Sequence, residues 1–460
     1  MAHARELADW ALGLTLERVP ASARDAALRH LLDGVGNAIG SARTGAVEPA
    51  VAVAVGLGGP AEATILGSGS TVSAPAAALA NGALVHGLDF DDTHAGGLVH
   101  ATAVVLPAAF AVGEQVGASG QQVLTAAIAG YEAVCRIAMA SPHGFHARGL
   151  HATHVAGTLA AALISARLMQ LDTEQTTNAL GIAGSASGGL LEFLNTGAST
   201  KQLHPGTASL NGVLAARLAA AGATGPDSVL EGQYGVYAAL SARPADVASV
   251  TDGLGRRWEV EQITVKPYPA CQLMHVTLDA VSAAVAAEGV TAADVAAITA
   301  DVHPDSASIV CEPADVKLQP RSAYDAKFSL PWSVAALLID GQVGVETYEP
   351  ASIARPEVAE LAKRVHSRIT KADGVAADAT GNVVIELADG RKLTGAVSRS
   401  AGGPQTPLSD DALAAKFLAN CGGGQAAAGL LESVRSLTDA KDLSSVMTAA
   451  KAAANLEGAS

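Results

Sequence analysis

Between His86 and His100 the chain reads His-Gly-Leu-Asp-Phe-Asp-Asp-Thr-His and then, after a short run of small residues, His again: three carboxylates and three imidazoles within fifteen residues. The surrounding sequence is mostly Ala, Val and Leu. A carboxylate beside an imidazole can orient the ring and hold a proton near neutral pH, which suits general acid–base catalysis. Two other uses of the same residues are open. The Asp residues can cap a following helix in an ordinary loop, or adjacent carboxylates can hold a divalent cation. No second acidic motif of similar density occurs to complete an oxygen cage, which counts against the cation.

Further clusters carry His and Lys. His143, His146, Arg148, His151 and His154 lead into Val155-Ala-Gly-Thr. His151 and His154 are three apart and can share one face at a helix start, where backbone N–H groups also greet anions. The HExxH zinc pattern is absent. From Gly188 to Gly206 a glycine-bearing stretch holds Lys201 and His204. Its glycines allow close backbone approach to a ligand, and a Lys ahead of a helix can pair with a carboxylate; an ordinary helix–loop–helix corner explains the stretch equally well.

Lys266-Pro-Tyr268-Pro-Ala-Cys271-Gln-Leu-Met-His275 is stiffened by its prolines. It stands where one domain is expected to give way to another, and clefts often form there. A rigid connector is the alternative. Cys271 reads as a structural thiol rather than a nucleophile. Arg321 to Trp332, with Tyr324 and Lys327, adds cationic and hydroxyl groups.

These groups need a large scaffold, and 460 residues with 49% hydrophobic and 16% charged content supply one. Aromatics are 3%, so the apolar mass is Ala, Val and Leu, which suits closely packed helices. The net charge of −15 removes the electrostatic basis for binding nucleic acid or anionic membranes. A small anionic substrate stays compatible, because a pocket can be locally basic. The four cysteines are widely spaced without CxxC, against zinc knuckles, iron–sulfur clusters and disulfide scaffolds. A reducing cytoplasm is expected, with no signal peptide and no apolar run of about 20 residues.

Helical spacing dominates up to about residue 265, with helices expected at 75–85, 102–116, 120–138, 153–169, 173–185 and 209–221. From 266 to 400 the pattern is mixed α+β, with strands at 298–302, 383–387 and 393–397. The last two flank Asp389-Gly390, a hairpin signal. From 401 to 460 the chain is helical again, at 410–418, 424–436 and 444–454. Three segments are therefore expected: helical, α+β, helical.

HGLDFDDT, RGLHATHVAGT, GLLEFLNTGASTKQLHPG, KPYPACQLMH and AKFSLPW resemble, in order and approximate spacing, the MmgE/PrpD family over nearly the whole chain. The resemblance implies a mainly α protein: a large all-helical domain built from both chain ends plus a smaller α+β lid. It also implies a homodimer that needs no metal or organic cofactor. The family's catalytic positions carry over to Asp89, Thr93, His100, His151 and Lys201. Lys266, Tyr268, Cys271, His275 and Tyr324 are the substrate-binding candidates.

The family includes 2-methylcitrate dehydratase, cis-aconitate decarboxylase and iminodisuccinate epimerase. Its decarboxylases carry His where Cys271 stands, which points toward the dehydratase side. Gln202 replaces the Arg of TKRLHPG, removing one carboxylate anchor. The expectation is a hydro-lyase acting on a small di- or tricarboxylate. Lys201 and Lys266 would bind carboxylates, His100 or His151 would take a proton beside a carboxylate, and water would leave by β-elimination. Asp89, bonded to Thr93 or a His, would orient the ring, and lid closure would exclude water. An epimerase or a decarboxylase using the same carbanion is the alternative, and a non-catalytic helical binding protein is the reading from another class.

Overall fold

The structure, a computed structural model, describes residues 2–286, 288–371 and 374–454 and is mainly α. The chain forms two compact units. The first comprises the described parts of Met1–Leu191, Thr200–Ile263 and Ser409–Ser460. The second comprises Glu192–Ser199 and the described parts of Thr264–Leu408.

In the first unit, helices at Thr102–Val116, Thr173–Ser185 and Ser444–Ala454 have the bounds their spacing predicts. Local signals account for this. Asp172 and Gln175 close a reciprocal capping box at one start, and Gly117 at φ 65° ends another helix. Ser119 and Gln122 form the same box ahead of Gly120–Met139. The helix Ala152–Leu168 lies deepest, with every residue but Arg167 buried. Its polar Thr158 and Ser165 return their hydroxyls to carbonyls one turn back, so burial leaves neither donor unmet.

One helix departs from expectation. The segment expected to begin at 209 is helical from Thr200 to Ala220, with Pro205 inside it. Pro205-Gly206 reads locally as a break, since proline removes the N–H that would bond the Lys201 carbonyl. Tertiary packing overrides that reading. The helix crosses Ala74–His86 at Gly206 and Gly82; a Cβ at Gly206 would stand 2.2 Å from the Leu79 carbonyl oxygen, and one at Gly82 2.6 Å from Gly206 Cα. Only glycines permit this approach, and it sets the start of one helix beside the end of the other.

The second unit is built on a four-stranded sheet in the order Val365–Ile369, Val295–Val302, Gly381–Leu387, Lys392–Val397. The first pair is parallel and the other two are antiparallel. Asp389-Gly390 makes the expected hairpin, with Gly390 at φ 88°. Val383, Ile385 and Leu387 alternate inward. The helix His275–Ala286 lies so close to the hairpin that a Cβ on Gly395 would stand 2.0 Å from the Ala280 carbonyl oxygen. Among the described residues no helix is long and apolar enough to cross a membrane. Cys135, Cys271, Cys311 and Cys421 are free thiols.

Candidate active site

The crossing at Gly82 and Gly206 has a chemical consequence. His86 is the last residue of its helix and Lys201 lies in the first turn of the other, so the two side chains meet inside the first unit. Lys201 Nζ donates to Asp89 Oδ1 at 2.6 Å and lies 3.1 Å from His86 Nε2 and 3.4 Å from His100 Nε2. Lys201, Asp89, His86 and His100 are all buried.

The loop after His86 supplies the carboxylates. Asp89 has φ 52°, a left-handed conformation uncommon for a residue with a side chain and often found where function holds strain. Two residues on, both Asp91 oxygens lie within 2.9 Å of His86 Nδ1. His86 thus donates from Nδ1 and presents Nε2 as an acceptor to the ammonium. Burial lowers the pKa of His86 and Lys201 adds to that, while Asp91 opposes it. Asp89 receives the Lys201 ammonium, and Asp91 holds the Nδ1 side of His86.

His100 arrives on a narrow turn in which His94 and Val99 pair through their backbones. The turn is tied down when His94 accepts from Gly97 N and its Nε2 meets Glu259 at 3.2 Å. His100 Nδ1 lies 2.9 Å from the Asp92 carbonyl and 3.3 Å from Thr93 Oγ1. A carbonyl can only accept, so the proton sits on Nδ1 and Nε2 carries a lone pair. The Asp92 side chain points away and accepts from Thr102 N at 3.0 Å. Burial pushes its carboxyl up to about 7 against those donors.

His151 stands at the N-cap position of the Ala152–Leu168 helix without capping it through its ring, and its backbone N–H donates to Gly189 O at 2.7 Å. Its ring stands 5.7 Å from His100 and 5.9 Å from His86, centroid to centroid. Its Nδ1 lies 3.1 Å from His204 Nδ1. Burial drives its pKa well below the usual imidazole value, and the Lys201 charge acts in the same direction.

Ligand atoms of His86, His100 and His151 lie within 4.8 Å of one another, as do those of His86, Asp89 and Asp91. Three imidazoles at that range can hold a zinc-type ion. Here, however, the Lys201 ammonium already points at Nε2 of both His86 and His100, so a cation there would meet a like charge. The arrangement is that of an ammonium site suited to carboxylates.

The expected catalytic residues Asp89, Thr93, His100, His151 and Lys201 all lie in this cluster within the first unit. Gln202 donates to Gly87 O at 2.7 Å, supporting the turn into the acidic loop. His86, Asp91 and His204 complete the cluster. Each lies inside one of the chain's family-like motifs, where nothing in residue type or spacing distinguishes it from its neighbours.

Lys266, Tyr268, Cys271, His275 and Tyr324 lie in the second unit. Tyr268 donates its hydroxyl to Asp279 at 2.7 Å, and its ring stands edge-on to His275. His275 Nε2 bonds the Ala270 carbonyl at 3.0 Å. The Cys271 N–H bonds the Lys327 carbonyl, and the Tyr324 ring lies tilted against Phe328, 5.6 Å between centroids. The hydroxyl of Tyr268 and the Nε2 proton of His275 are therefore used within the unit.

Residues 5–247 match the MmgE/PrpD N-terminal domain, and residues 268–437 match the MmgE/PrpD C-terminal domain. The chain belongs to the MmgE/PrpD family. Among the relatives of this MmgE/PrpD protein is a cis-aconitate decarboxylase of Aspergillus terreus, 29% identical over 433 residues, covering 90% of this chain and 88% of the relative. The cis-aconitate decarboxylase of Mus musculus is 30% identical over 360 residues, covering 75% and 71%. That of Homo sapiens is 28% identical over 389 residues, covering 82% and 79%. These relatives are carboxy-lyases, which supports a lyase but gives no support to the hydro-lyase expectation. Cys271, read above as pointing away from decarboxylases, stands in an MmgE/PrpD chain whose named relatives carry that activity.

Proposed function

We propose that this protein is a carboxy-lyase that removes one carboxyl group from a cis-aconitate-type unsaturated tricarboxylate. The observation that carries this reading is the Lys201 ammonium, buried among Asp89 and the Nε2 atoms of His86 and His100. A substrate carboxylate reaching that ammonium gains a charge-assisted partner away from water. It also brings negative charge beside His86 and His151, whose pKa values burial has lowered, which favours their protonation.

The chemistry is balanced by one proton. The C–C bond to the departing carboxylate breaks and CO2 leaves. The electron pair moves through the allylic system to the carbon next to another carboxylate. That carbon takes a proton, so a tricarboxylate and H+ become methylenesuccinate and CO2. Lys201 offsets charge on the carboxylate that carries the developing carbanion, while His100 and His151 handle the proton. A second reading, β-elimination of water from a hydroxy acid such as 2-methylcitrate, is favoured by Cys271 and by the Nε2 lone pair that makes His100 a base.

The test is incubation of chelator-treated protein in D2O with cis-aconitate, citrate, 2-methylcitrate and iminodisuccinate, followed by proton NMR and CO2 detection. Decarboxylation predicts CO2 from cis-aconitate and one deuterium in the saturated CH2 of methylenesuccinate. An unsaturated product from 2-methylcitrate, with no CO2 from cis-aconitate, would replace this reading with the dehydratase one.

A further inference from the structure

Of the three imidazoles around Lys201, two are locked in one tautomer. His86 places its Nδ1 proton on Asp91, and His100 places its own on the Asp92 carbonyl. Both then present a lone pair at Nε2, toward the ammonium. While neutral, neither can give a proton from Nε2. His151 differs, because its Nδ1 faces another imidazole nitrogen, His204 Nδ1, at 3.1 Å. At hydrogen-bond distance two nitrogens share one proton, and either ring can hold it.

We propose that His204 is a positioning residue that exchanges one proton with His151 and thereby makes His151 the group that protonates the product carbon; this rests on the decarboxylase reading. With the shared proton on His204, His151 carries its own at Nε2. The Nε2–H bond breaks as the new C–H bond forms. At the same time His151 Nδ1 takes the proton from His204 Nδ1, and His204 Nε2 takes one from solvent. His151 never becomes an anion, and both rings stay neutral. After product leaves, a solvent proton enters at His151 Nε2, the shared proton returns to His204 Nδ1, and His204 Nε2 releases its proton. One proton is consumed per turnover.

The surroundings hold the pair in register. His204 follows Lys201 by one turn of the same helix. Gly189, at φ 88°, takes the His151 backbone N–H on its carbonyl and passes over the second ring. A Cβ there would stand 2.7 Å from His154 Cβ and 3.3 Å from His204 Nδ1. His154 accepts from Gly188 N at 2.9 Å, so its proton is on Nε2, and its ring meets His204 edge-on at 5.8 Å. The titratable and charged groups facing the pair are Lys201, His86, His100, His146 and His154. Burial lowers the pKa of both rings, consistent with a neutral relay rather than a standing imidazolium.

Two measurements test the pair. In the wild-type protein near neutral pH, long-range proton–nitrogen correlation of the histidine rings is expected to show His151 and His204 in opposite tautomers, or exchanging between the two opposite assignments. Both rings protonated only at Nε2 would leave no proton between the Nδ1 atoms and would overturn the proposal. In parallel, His204→Phe and His204→Asn are assayed on cis-aconitate. Asparagine can hold the His151 tautomer but cannot pass a proton through, so both variants should lose kcat by about 100-fold with KM nearly unchanged. Added imidazole should partly restore a folded His204→Ala variant. Full kcat in either substituted protein sinks the relay. If His204→Phe does not fold, His204→Asn and the tautomer measurement decide. Absence of CO2 from the wild-type protein would count against the decarboxylase reading alone, because the tautomer measurement does not depend on turnover.

Discussion

Lys201 Nζ and Asp89 Oδ1 are 2.6 Å apart in a buried ion pair, and the carboxylate belongs to a residue held at φ 52°. The left-handed backbone turns the Asp89 side chain toward the helix that carries Lys201. Two residues later, in the same loop, Asp91 faces His86 instead. One short loop thus holds a carboxylate for the ammonium and another for an imidazole. The loop is anchored from the far end of the chain, where Lys416 donates to the Phe90 carbonyl at 2.8 Å and pairs with Asp33 at 2.7 Å.

Removing one partner of the buried pair should cost both stability and turnover. Lys201→Met leaves the Asp89 carboxylate without its ammonium, a loss of about 3–5 kcal/mol for a broken buried pair. Adding Asp89→Asn, which keeps a side chain tolerant of the left-handed region, should recover most of that stability but none of the activity. Urea unfolding and kcat on cis-aconitate measure the two effects. A single Lys201→Met variant as stable as the wild type contradicts the assignment.

The helix crossing should tolerate no side chain. Gly206→Ala places a Cβ 2.2 Å from the Leu79 carbonyl oxygen, a backbone atom that cannot swing away. A destabilisation of about 1–3 kcal/mol or more is expected from overpacking, together with lost activity as Lys201 moves off His86. Gly13→Ala, where no atom lies within 4 Å, serves as the control and should be neutral. Thermal unfolding of the two variants side by side checks this, and equal melting temperatures would refute it.

Stability should fall on acidification below neutral pH. Burial lowers His30 to about 4, His154 to about 4 and His204 to about 3. Between those values and the unfolded value of about 6.5, the unfolded chain binds more protons than the folded one, so stability rises with pH across that window. Asp92 and Glu132 act with the opposite sign. Burial raises both to about 7, so the folded chain binds more protons between about 4 and 7, and their contribution is lost as pH rises. His146, lowered to about 3, and His86 and His151, also lowered, add to the imidazole side. Asp33, Glu114, Asp279 and Asp378, raised by burial, add to the opposing side, the six lowered imidazoles being taken as the larger effect. The urea midpoint should therefore drop from about pH 6.5 to about pH 4; a flat or rising midpoint is the contrary result. Asp92→Asn should steepen the acid loss by removing an opposing group.

Chelation should leave turnover unchanged. The Lys201 ammonium already faces the Nε2 atoms that would hold a cation, so prolonged treatment with EDTA, then assay with and without added zinc or magnesium, should give equal rates. Activity restored only by metal would reverse the reading of these imidazoles.

Much of the scaffold was legible because its signals are local. Capping boxes at Ser119 and Asp172, the C-cap at Gly117 and the Asp389-Gly390 turn are short-range hydrogen-bonding and steric preferences that need no partner. The start of the Lys201 helix was not legible, because Pro205-Gly206 is a local breaker that a glycine-to-glycine crossing overrides.

The candidate site divides in the same way. Residue types and motif order by themselves determined that carboxylates, imidazoles and an ammonium would be available to the fold, since those functional groups are written in the chain. Which carboxylate meets which base was decided only in three dimensions. His86 and Lys201 are 115 positions apart and meet through a helix crossing; Asp89 and Asp91 differ in role because the backbone reverses hand at one of them. The pairing of His151 with His204 likewise depends on a separation of 53 positions closed to 3.1 Å. Hydrogen bonds fade within a fraction of an ångström, so such partners are set by packing, which spacing along the chain does not encode.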